Sequence, residues 1–432
     1  MTEFTLAGNP NYAVKIIEVK NLVDLEGLDN LKGIPMDGFN ILVSNDVQVG
    51  DILAVFTAGT QIEGWFLHKF NLFRHTDLNM DPGAKPGYIE DNRRVKAVRL
   101  RGVPSNALAV DAAWVGATQA DVGTLFDTVD GVLLSQKYEV PVKGNPAQKG
   151  QRTSVFAKVN LPEHLDTENY WRNADKIGAD EFITVTQKVH GTSVRYGRVP
   201  VPRILTRWQR VLRWFGAQVQ DTEYAFVVGS RKVIKSVVRG DSAQTNSNAD
   251  HFYASDLWSQ QGEKYADLIP DGVVVFGELI GWTPEGAPIQ QGYTYNLPKG
   301  ETGFYIYRVA TITPDGKLYD LSWNGVKQFA FERGLNVVPE LWSGRHVEFD
   351  ADDWTDYRYA DGVWVDRGGN KRDYPQALPL SDKKTVDEGV VVRKEGIIPY
   401  VLKAKSPIFL GHESALLDEE VVDLEAEGSH AV

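Results

Sequence analysis

Cysteine is absent from the 432 residues. That excludes disulfides, thiolate zinc sites, iron–sulfur clusters and cysteine nucleophiles. No run approaches the ~18 consecutive apolar residues of a membrane span. The N-terminal stretch MTEFTLAGNPNY has neither the basic n-region nor the apolar core of a leader, so a cytoplasmic protein is expected. The familiar phosphate-binding signatures are also missing: there is no G-x-x-x-x-G-K-[ST] and no G-x-G-x-x-G between a strand and a helix. The eight histidines show no paired metal-ligand spacing, and no G-x-S-x-G elbow occurs.

The net charge of −12 argues at first against a polyanionic partner, because phosphate binding relies on Lys and Arg. The charge is segregated, however. Residues 188–240 hold eleven Lys/Arg against two acids, and residues 93–101 add five more cations. The last 20 residues, 413–432, hold seven acids and no Lys or Arg. This partition predicts that deleting 413–432 leaves the chemistry of the protein intact.

A chain of this length accommodates two or three domains. Residues 1–145 read as short strands (Tyr12–Val19, Phe39–Val43, Asp51–Phe56, Val95–Leu100) between turn residues, which suggests a small β-barrel, an OB-like one being one option among several. In 94–100 apolar and basic residues largely alternate, which predicts a strand with a buried face and a charged face. The Gly-, Pro- and Lys-rich stretch 138–154 reads as a linker. From 155 to 411 the pattern is mixed α+β. Helices are expected over 162–176 and 203–215, and strands at Glu181–Gln187, Tyr224–Val228, Val273–Leu279, Phe304–Val309, Gly389–Lys394 and Tyr400–Lys405. The helix over 203–215 sets Leu205, Trp208, Val211, Leu212 and Phe215 on one face and arginines on the rest. That face is expected to pack on its own domain, with contact to an RNA backbone or a membrane surface as the alternatives. Residues 412–432 read as an acidic C-terminal tail.

The chemistry concentrates in an ordered series. Gln187-Lys188-Val189-His190-Gly191-Thr192-Ser193 ends one strand, and Ser230-Arg231 closes another. Phe276-Gly277-Glu278-Leu279, Phe304-Tyr305-Ile306-Tyr307, Glu388-Gly389 and Leu402-Lys403-Ala404-Lys405 follow. Lys-x-x-Gly alone is a weak signal. The six elements in this order resemble motifs I, Ia, III, IIIa, IV and V of the covalent nucleotidyltransferases, the ligases and mRNA capping enzymes. His two places after the lysine resembles the RNA ligase branch, which includes the phage T4 RNA ligase 2-like enzymes. The long N-terminal region and short C-terminal remainder are similar to the Deinococcus-type RNA ligase family.

That resemblance implies an α+β chain in which the N-terminal OB-like β-barrel precedes an ATP-grasp-like nucleotidyltransferase (adenylyltransferase) domain of antiparallel sheets and helices. It implies ATP and Mg²⁺ or Mn²⁺ as cofactors, and Lys188 as the nucleophile that becomes lysyl-AMP. Glu278 is expected at the ribose or the metal's water shell, Glu388 at the metal, and Lys403 and Lys405 on the phosphates. Tyr307 is expected to stack on adenine, with Phe304 as the competing choice. Arg231 would contact the nucleotide or the RNA end, and His190 would serve the steps after lysine adenylation. Gln187, Val189 and Gly191 would line the nucleotide site, with Gln187 at the adenine edge where relatives often carry Glu. The implied substrate is a nick in an RNA-containing duplex with 3′-OH and 5′-phosphate ends. Alternatives are an RNA guanylyltransferase, a DNA ligase, or a catalytically silent nucleic-acid-binding protein.

Overall fold

The computed structural model describes residues 2–25, 27–139, 156, 159–165, 167–203, 205–220, 222–240, 242–245, 253, 255–356, 358–360, 363–366, 369–372, 377–380 and 385–418. Apart from residues 138 and 139, the expected linker lies outside them.

The N-terminal part carries β1 (Val14–Glu18), β2 (Val23–Asp24), β3 (Leu31–Met36), β4 (Phe39–Ser44), β5 (Ile52–Thr57), β6 (Ala107–Asp111) and β7 (Leu125–Phe126). They form a four-stranded sheet in the order β6-β5-β1-β7 and a separate three-stranded sheet β2-β3-β4. The strand pairings close no barrel among the described residues, so the expected OB-like barrel is not reproduced as a closed ring. Helix α1 (Gly64–Lys69) drives Phe66 and Leu67 into a core that includes Val14, Ile16, Phe56 and Phe126.

The basic segment 93–101 departs from its alternating pattern. Only Val98–Leu100 is a strand, paired with Val103–Ser105 in a short exposed hairpin. Arg94 points inward and is 1 % exposed, whereas Val98 and Leu100 are exposed. Most of these cations are held by the protein. Arg93 pairs with Glu63, Lys96 with Glu90, Arg99 donates to Gly102 O, and Arg101 reaches Gly27 O.

Two sheets build the larger part. The five-stranded sheet contains β8 (Glu168–Asn169), β9 (Phe182–Gln187), β18 (Glu340–Arg345), β19 (Gly389–Lys394) and β20 (Tyr400–Lys405), in the order β8-β20-β19-β9-β18. The eight-stranded sheet contains β10 (Thr192–Pro202), β11 (Thr222–Ser230), β12 (Ile234–Arg239), β13 (Ser242–Thr245), β14 (Val273–Gly281), β15 (Thr302–Ile312), β16 (Leu318–Asp320) and β17 (Asn336–Val337). Its main order is β13-β12-β11-β10-β14-β15-β16, with β17 pairing β15. Both sheets are almost wholly antiparallel, as expected of an α+β chain. Central strands such as β9 and β14 are buried on both faces; β14 accordingly reads as a nearly continuous apolar run, whereas β9 buries Thr184, Thr186 and Gln187 between its apolar residues.

Helices are few: α2 (Arg207–Trp214), α3 (Leu257–Glu263), α4 (Trp323–Glu332) and α5 (Pro407–Asp418). The helix expected over 162–176 shrinks to an α-turn at Tyr170–Asn173 followed by a 3-10 turn at Ala174–Lys176, preceded by β8. Asn169 caps that turn through Arg172 N, a signal that begins the helix well after Pro162. Helix α2 forms where expected, but its apolar face is not covered by the domain. Helix α5 incorporates residues 412–418, which by composition belong to the acidic tail.

The N-terminal part docks on the sheets at two places. Asp37 accepts from Arg172 at 3.3 Å, and Gly38 lies against Trp171 so closely that a Cβ would come within 2.3 Å of the indole. On the other side α5 is gripped: Asn106 Nδ2 donates to Pro407 O, Arg94 to Ser414 O, and Ala97 N to Ser414 Oγ.

Candidate active site

Lys188 lies on the four-residue crossing from β9, in the five-stranded sheet, to β10, in the eight-stranded sheet. The crossing is tight. Gly191 passes so near Leu279 that a Cβ would meet its carbonyl oxygen at 2.2 Å, which explains the glycine at this place. The Lys188 backbone N–H donates to Gly389 O, and the Tyr295 hydroxyl accepts from His190 N at 2.7 Å.

The six sequence elements converge on this crossing. Ser193 and Glu278 are cross-strand partners on β10 and β14, and Ser193 Oγ donates to Glu278 Oε2 at 3.2 Å. Glu388 immediately precedes β19. Lys403 and Lys405 share one face of β20, as the two-residue period of a strand requires. Arg231 follows β11, in a turn whose Ser230 carbonyl accepts from the buried Arg195. A cleft is lined by Lys188, His190, Arg231, Glu278, Glu388, Lys403 and Lys405. Tyr12, Asn106, Lys137 and Tyr138 of the N-terminal part line it as well.

Glu388, 3 % exposed, is the hub. Its carboxylate lies 2.6 Å from Lys188 Nζ, 3.5 Å from Lys405 Nζ and 3.4 Å from His190 Nδ1. Burial alone would raise its pKa. Lys188 and Lys405, helped by His190, overcome that and hold it well below the usual carboxylate range. Glu278 differs: burial pushes it up to about 8, Lys188 opposes the rise and Glu388 adds to it. Lys403 is pushed down to about 7, first by burial and then by Lys405, Lys188 and Arg231. Burial and neighbouring charge thus drive the two carboxylates in opposite directions, Glu388 down and Glu278 up, and pull Lys403 down beside them. Strongly perturbed groups gathered in a cleft are a mark of chemistry rather than of plain stability.

His190 is fixed by aromatic edges, with Tyr293 at 4.8 Å and Phe409 of α5 at 4.9 Å between ring centroids. On the far side of Lys188 a second cavity of about 530 Å³ has the size of a small-molecule site. Gln187, Val189, Arg231, Glu278, Tyr307 and Arg308 contribute to its wall. Tyr307 stands there half-buried, its hydroxyl paired with His164 Nδ1 at 2.8 Å, while Phe304 belongs to the core at 2 % exposure. Burial keeps the Tyr307 phenol protonated and the His164 imidazole neutral.

Gln187 borders the cavity, and its carboxamide is bonded within the protein. Its carboxamide donates to Asp387 Oδ1 at 3.0 Å and Leu378 O at 3.3 Å, and accepts from Leu378 N at 2.8 Å. Both ends are engaged and the residue is 1 % exposed, so it ties β9 to the 377–380 segment. Asp387, which burial pushes up to about 8, is the acid it steadies.

Glu413 has no counterpart in the sequence-derived set. Its carboxylate, on the second turn of α5, accepts from Lys405 Nζ at 2.7 Å. Burial would raise the Glu413 pKa, but Lys405 holds it down; Glu413 and Glu388 together push Lys405 up against its own burial. A count of acids at the C-terminus hides this residue; the signal available was its short separation from β20, too few residues to leave the site.

Among the described residues no group of three or more His, Asp or Glu is arranged to hold a metal ion. Glu388, 2.6 Å from Lys188 Nζ, and Glu278, in the same cleft, are carboxylate oxygen donors at the nucleophile. Repulsion from Glu388 helps keep Glu278 protonated, and that is a charge conflict a hard divalent cation relieves.

Several solved structures share this architecture. An apo mutant of Naegleria gruberi RNA ligase matches with a TM-score of 0.53 at 14 % identity, covering 94 % of this chain and 98 % of that one. A second Naegleria gruberi RNA ligase mutant, solved with AMP and Mn, gives 0.53 at 14 % identity over 94 % and 99 %. A third, with ATP and Mn, gives 0.52 at 16 % identity over 93 % and 99 %. At such identities these matches establish the fold, a sheet-rich mixed α/β chain with few helices. No curated protein matches the sequence significantly. The model of the RNA ligase family matches residues 181–405, more than half of the chain and the whole span from β9 to Lys405. The chain belongs to the RNA ligase family.

Proposed function

We propose that the protein is an ATP-dependent RNA ligase acting through a lysyl-AMP at Lys188, of the Deinococcus-type layout. The observation that carries this reading is the pairing of Lys188 and Lys405 on the buried Glu388 carboxylate beside a nucleoside-sized cavity containing Tyr307. ATP and Mn in solved Naegleria gruberi RNA ligase support the same ligands here.

Lys188 Nζ forms a bond to the α-phosphorus of ATP while the bond to the pyrophosphate oxygen breaks. The amine must lose a proton and part from Glu388 to do so. Lys403, Lys405 and Arg231 neutralise charge on the phosphates, where preorganised cations lower the barrier most. Tyr307 stacks on adenine. Glu278 and Glu388 would hold the divalent ion, which supplies further charge neutralisation at the phosphates. With Gln187 occupied by Leu378 and Asp387, other groups of the cavity choose adenine over guanine. AMP then passes to a 5′-phosphate end, and a 3′-OH attacks the activated end and releases AMP. His190, held between Tyr293, Phe409 and Glu388, serves these later steps.

In this reading residues 1–145 form an OB-like nucleic-acid-binding module and residues 155–411 the nucleotidyltransferase domain. Tyr12, Asn106, Lys137 and Tyr138 give the cleft a second wall facing the reacting ends. The preferred substrate is a nick with RNA on the 3′-OH side. Incubation with α-labelled ATP and Mg²⁺ or Mn²⁺ is expected to label the wild type and leave Lys188→Ala unlabelled. A wild type that never takes label overturns the proposal. Labelling from GTP in preference to ATP makes the protein a guanylyltransferase instead.

A further inference from the structure

Among the described residues, helix α2 carries a cluster of exposed large apolar side chains. It occupies the connection between β10 and β11, beyond Pro202, ten residues along the strand from Thr192. At ~3.3 Å per residue that places it roughly 30 Å from the nucleophile's end of the sheet. No residue of α2 is buried. Trp208 is 78 % exposed, Trp214 81 %, and Phe215, which closes the helix, 73 %; Leu212 and Val211 are also open. Trp208 and Phe215 share a side with Val211 and Leu212, while the Trp214 ring, placed among the arginines by its spacing, meets Phe215 edge-on at 4.8 Å; together they expose apolar surface on the order of 400 Å², about the size at which soluble surfaces signal an interaction.

The helix has little to hold it in water. Two turns fall well below the ~12–15 residues at which isolated helices become stable. Its visible local support is the capping box in which Thr206 and Gln209 bond reciprocally. Such a helix gains most of its stability from a surface that covers the apolar face.

The charge pattern selects the surface. Residues 203–220 contain four arginines and no acid. Trp208, Val211, Leu212 and Phe215 share one side at helical spacing, and Arg207, Arg210 and Arg213 lie around the other. A second copy of the chain would oppose arginine to arginine, with no acid in the segment to pair them. A nucleic-acid duplex offers phosphates to the arginines but nothing on which Val211 and Leu212 can pack. An anionic bilayer surface satisfies both faces at once, with aromatic rings at the acyl boundary and guanidinium groups among the lipid phosphates. The helix lies in that plane and does not cross: among the described residues no helix is long and apolar enough to span a membrane.

We propose that α2 is a membrane-surface anchor that docks the protein on anionic lipid. The inference stands whether or not the ligase reading holds. The test uses the full chain with vesicles of phosphatidylcholine alone and of phosphatidylcholine mixed with phosphatidylglycerol, read by co-sedimentation and tryptophan emission. Expected are binding and a blue shift with the anionic vesicles and little of either with the neutral ones. A Trp208→Ser/Trp214→Ser/Phe215→Ser variant is expected to bind at least about tenfold more weakly, and Arg207→Gln/Arg210→Gln to lose most of the preference for anionic lipid. Native thermal unfolding and unchanged lysine labelling of both variants certify that they are folded. Absence of wild-type binding to anionic vesicles, or equal binding by the aromatic variant, overturns the proposal. So does an aromatic variant that keeps vesicle binding and loses affinity for duplex RNA, which assigns the helix to nucleic acid.

Discussion

Glu413 converts a stretch that reads as dispensable into part of the site, and its removal is the sharpest test of the geometry. The perturbation is Glu413→Gln, together with two truncations, one removing 413–432 and one removing 419–432. Lys405 Nζ has two carboxylates, Glu413 at 2.7 Å and Glu388 at 3.5 Å. Breaking a buried ion pair by deleting one partner costs about 3–5 kcal/mol. Here Glu388 still compensates Lys405, and both members of the pair keep some contact with solvent, so about 2 kcal/mol is the reasonable share. The loss is felt in the chemistry because Lys405 is then drawn wholly onto Glu388 and away from the phosphates whose charge it neutralises. About 2 kcal/mol corresponds to a roughly 30-fold slower formation of lysyl-AMP, measured by single-turnover labelling with α-labelled ATP. Removing 413–432 also deletes the Ser414 contacts with Arg94 and Ala97 and is expected to be worse than the point change. Removing only 419–432 is expected to cost little. This replaces the simpler expectation that the whole acidic segment can be cut without effect. If Glu413→Gln labels at the wild-type rate while Lys405→Ala is inactive, Glu413 is a bystander and the reasoning fails.

Other consequences are equally direct. Lys403, pushed down to about 7 by burial and neighbouring cations, must be protonated to hold a phosphate. ATP binding should therefore take up a proton above pH 7, with affinity falling by up to about tenfold per pH unit; calorimetry in buffers of different ionisation heat measures the uptake, and none would contradict the assignment. Gly191→Ala forces a Cβ against Leu279 O at 2.2 Å and should cost about 1–3 kcal/mol in thermal or urea unfolding, together with most of the labelling. Tyr307→Ala should weaken ATP binding by about 1–3 kcal/mol, the usual worth of a base–aromatic stack. Tyr307→Phe should retain most of that affinity in an equilibrium titration.

The catalytic series is readable in the sequence because each element ends or begins a strand and keeps its own local signature: Lys-x-x-Gly at a crossing, Glu at a strand start, Lys-x-Lys on one strand face. Those local patterns survive folding unchanged. What stays hidden is information carried by tertiary packing. The alternation in 94–100 suggests outward arginines, but Arg94 turns inward because α5 offers it the Ser414 carbonyl. Gln187 has the right place for a base contact, yet its carboxamide is claimed by Leu378 and Asp387, nearly two hundred residues away in sequence. Periodicity finds the helix around 207–214 correctly and misjudges its surroundings, since the spacing of apolar side chains states which face is apolar and not whether anything covers it.

The grip of the N-terminal part on α5 bears on how the molecule is made. Domains fold in order as the chain leaves the ribosome, and both the N-terminal sheets and the β9–β10 crossing precede Lys405 and Glu413 in that order. A nascent or prematurely ended chain can therefore bury most of its hydrophobic core and display Lys188 while still lacking the groups that govern Lys405. Emergence of β20 and α5, rather than formation of the core, is then the event that arms the enzyme.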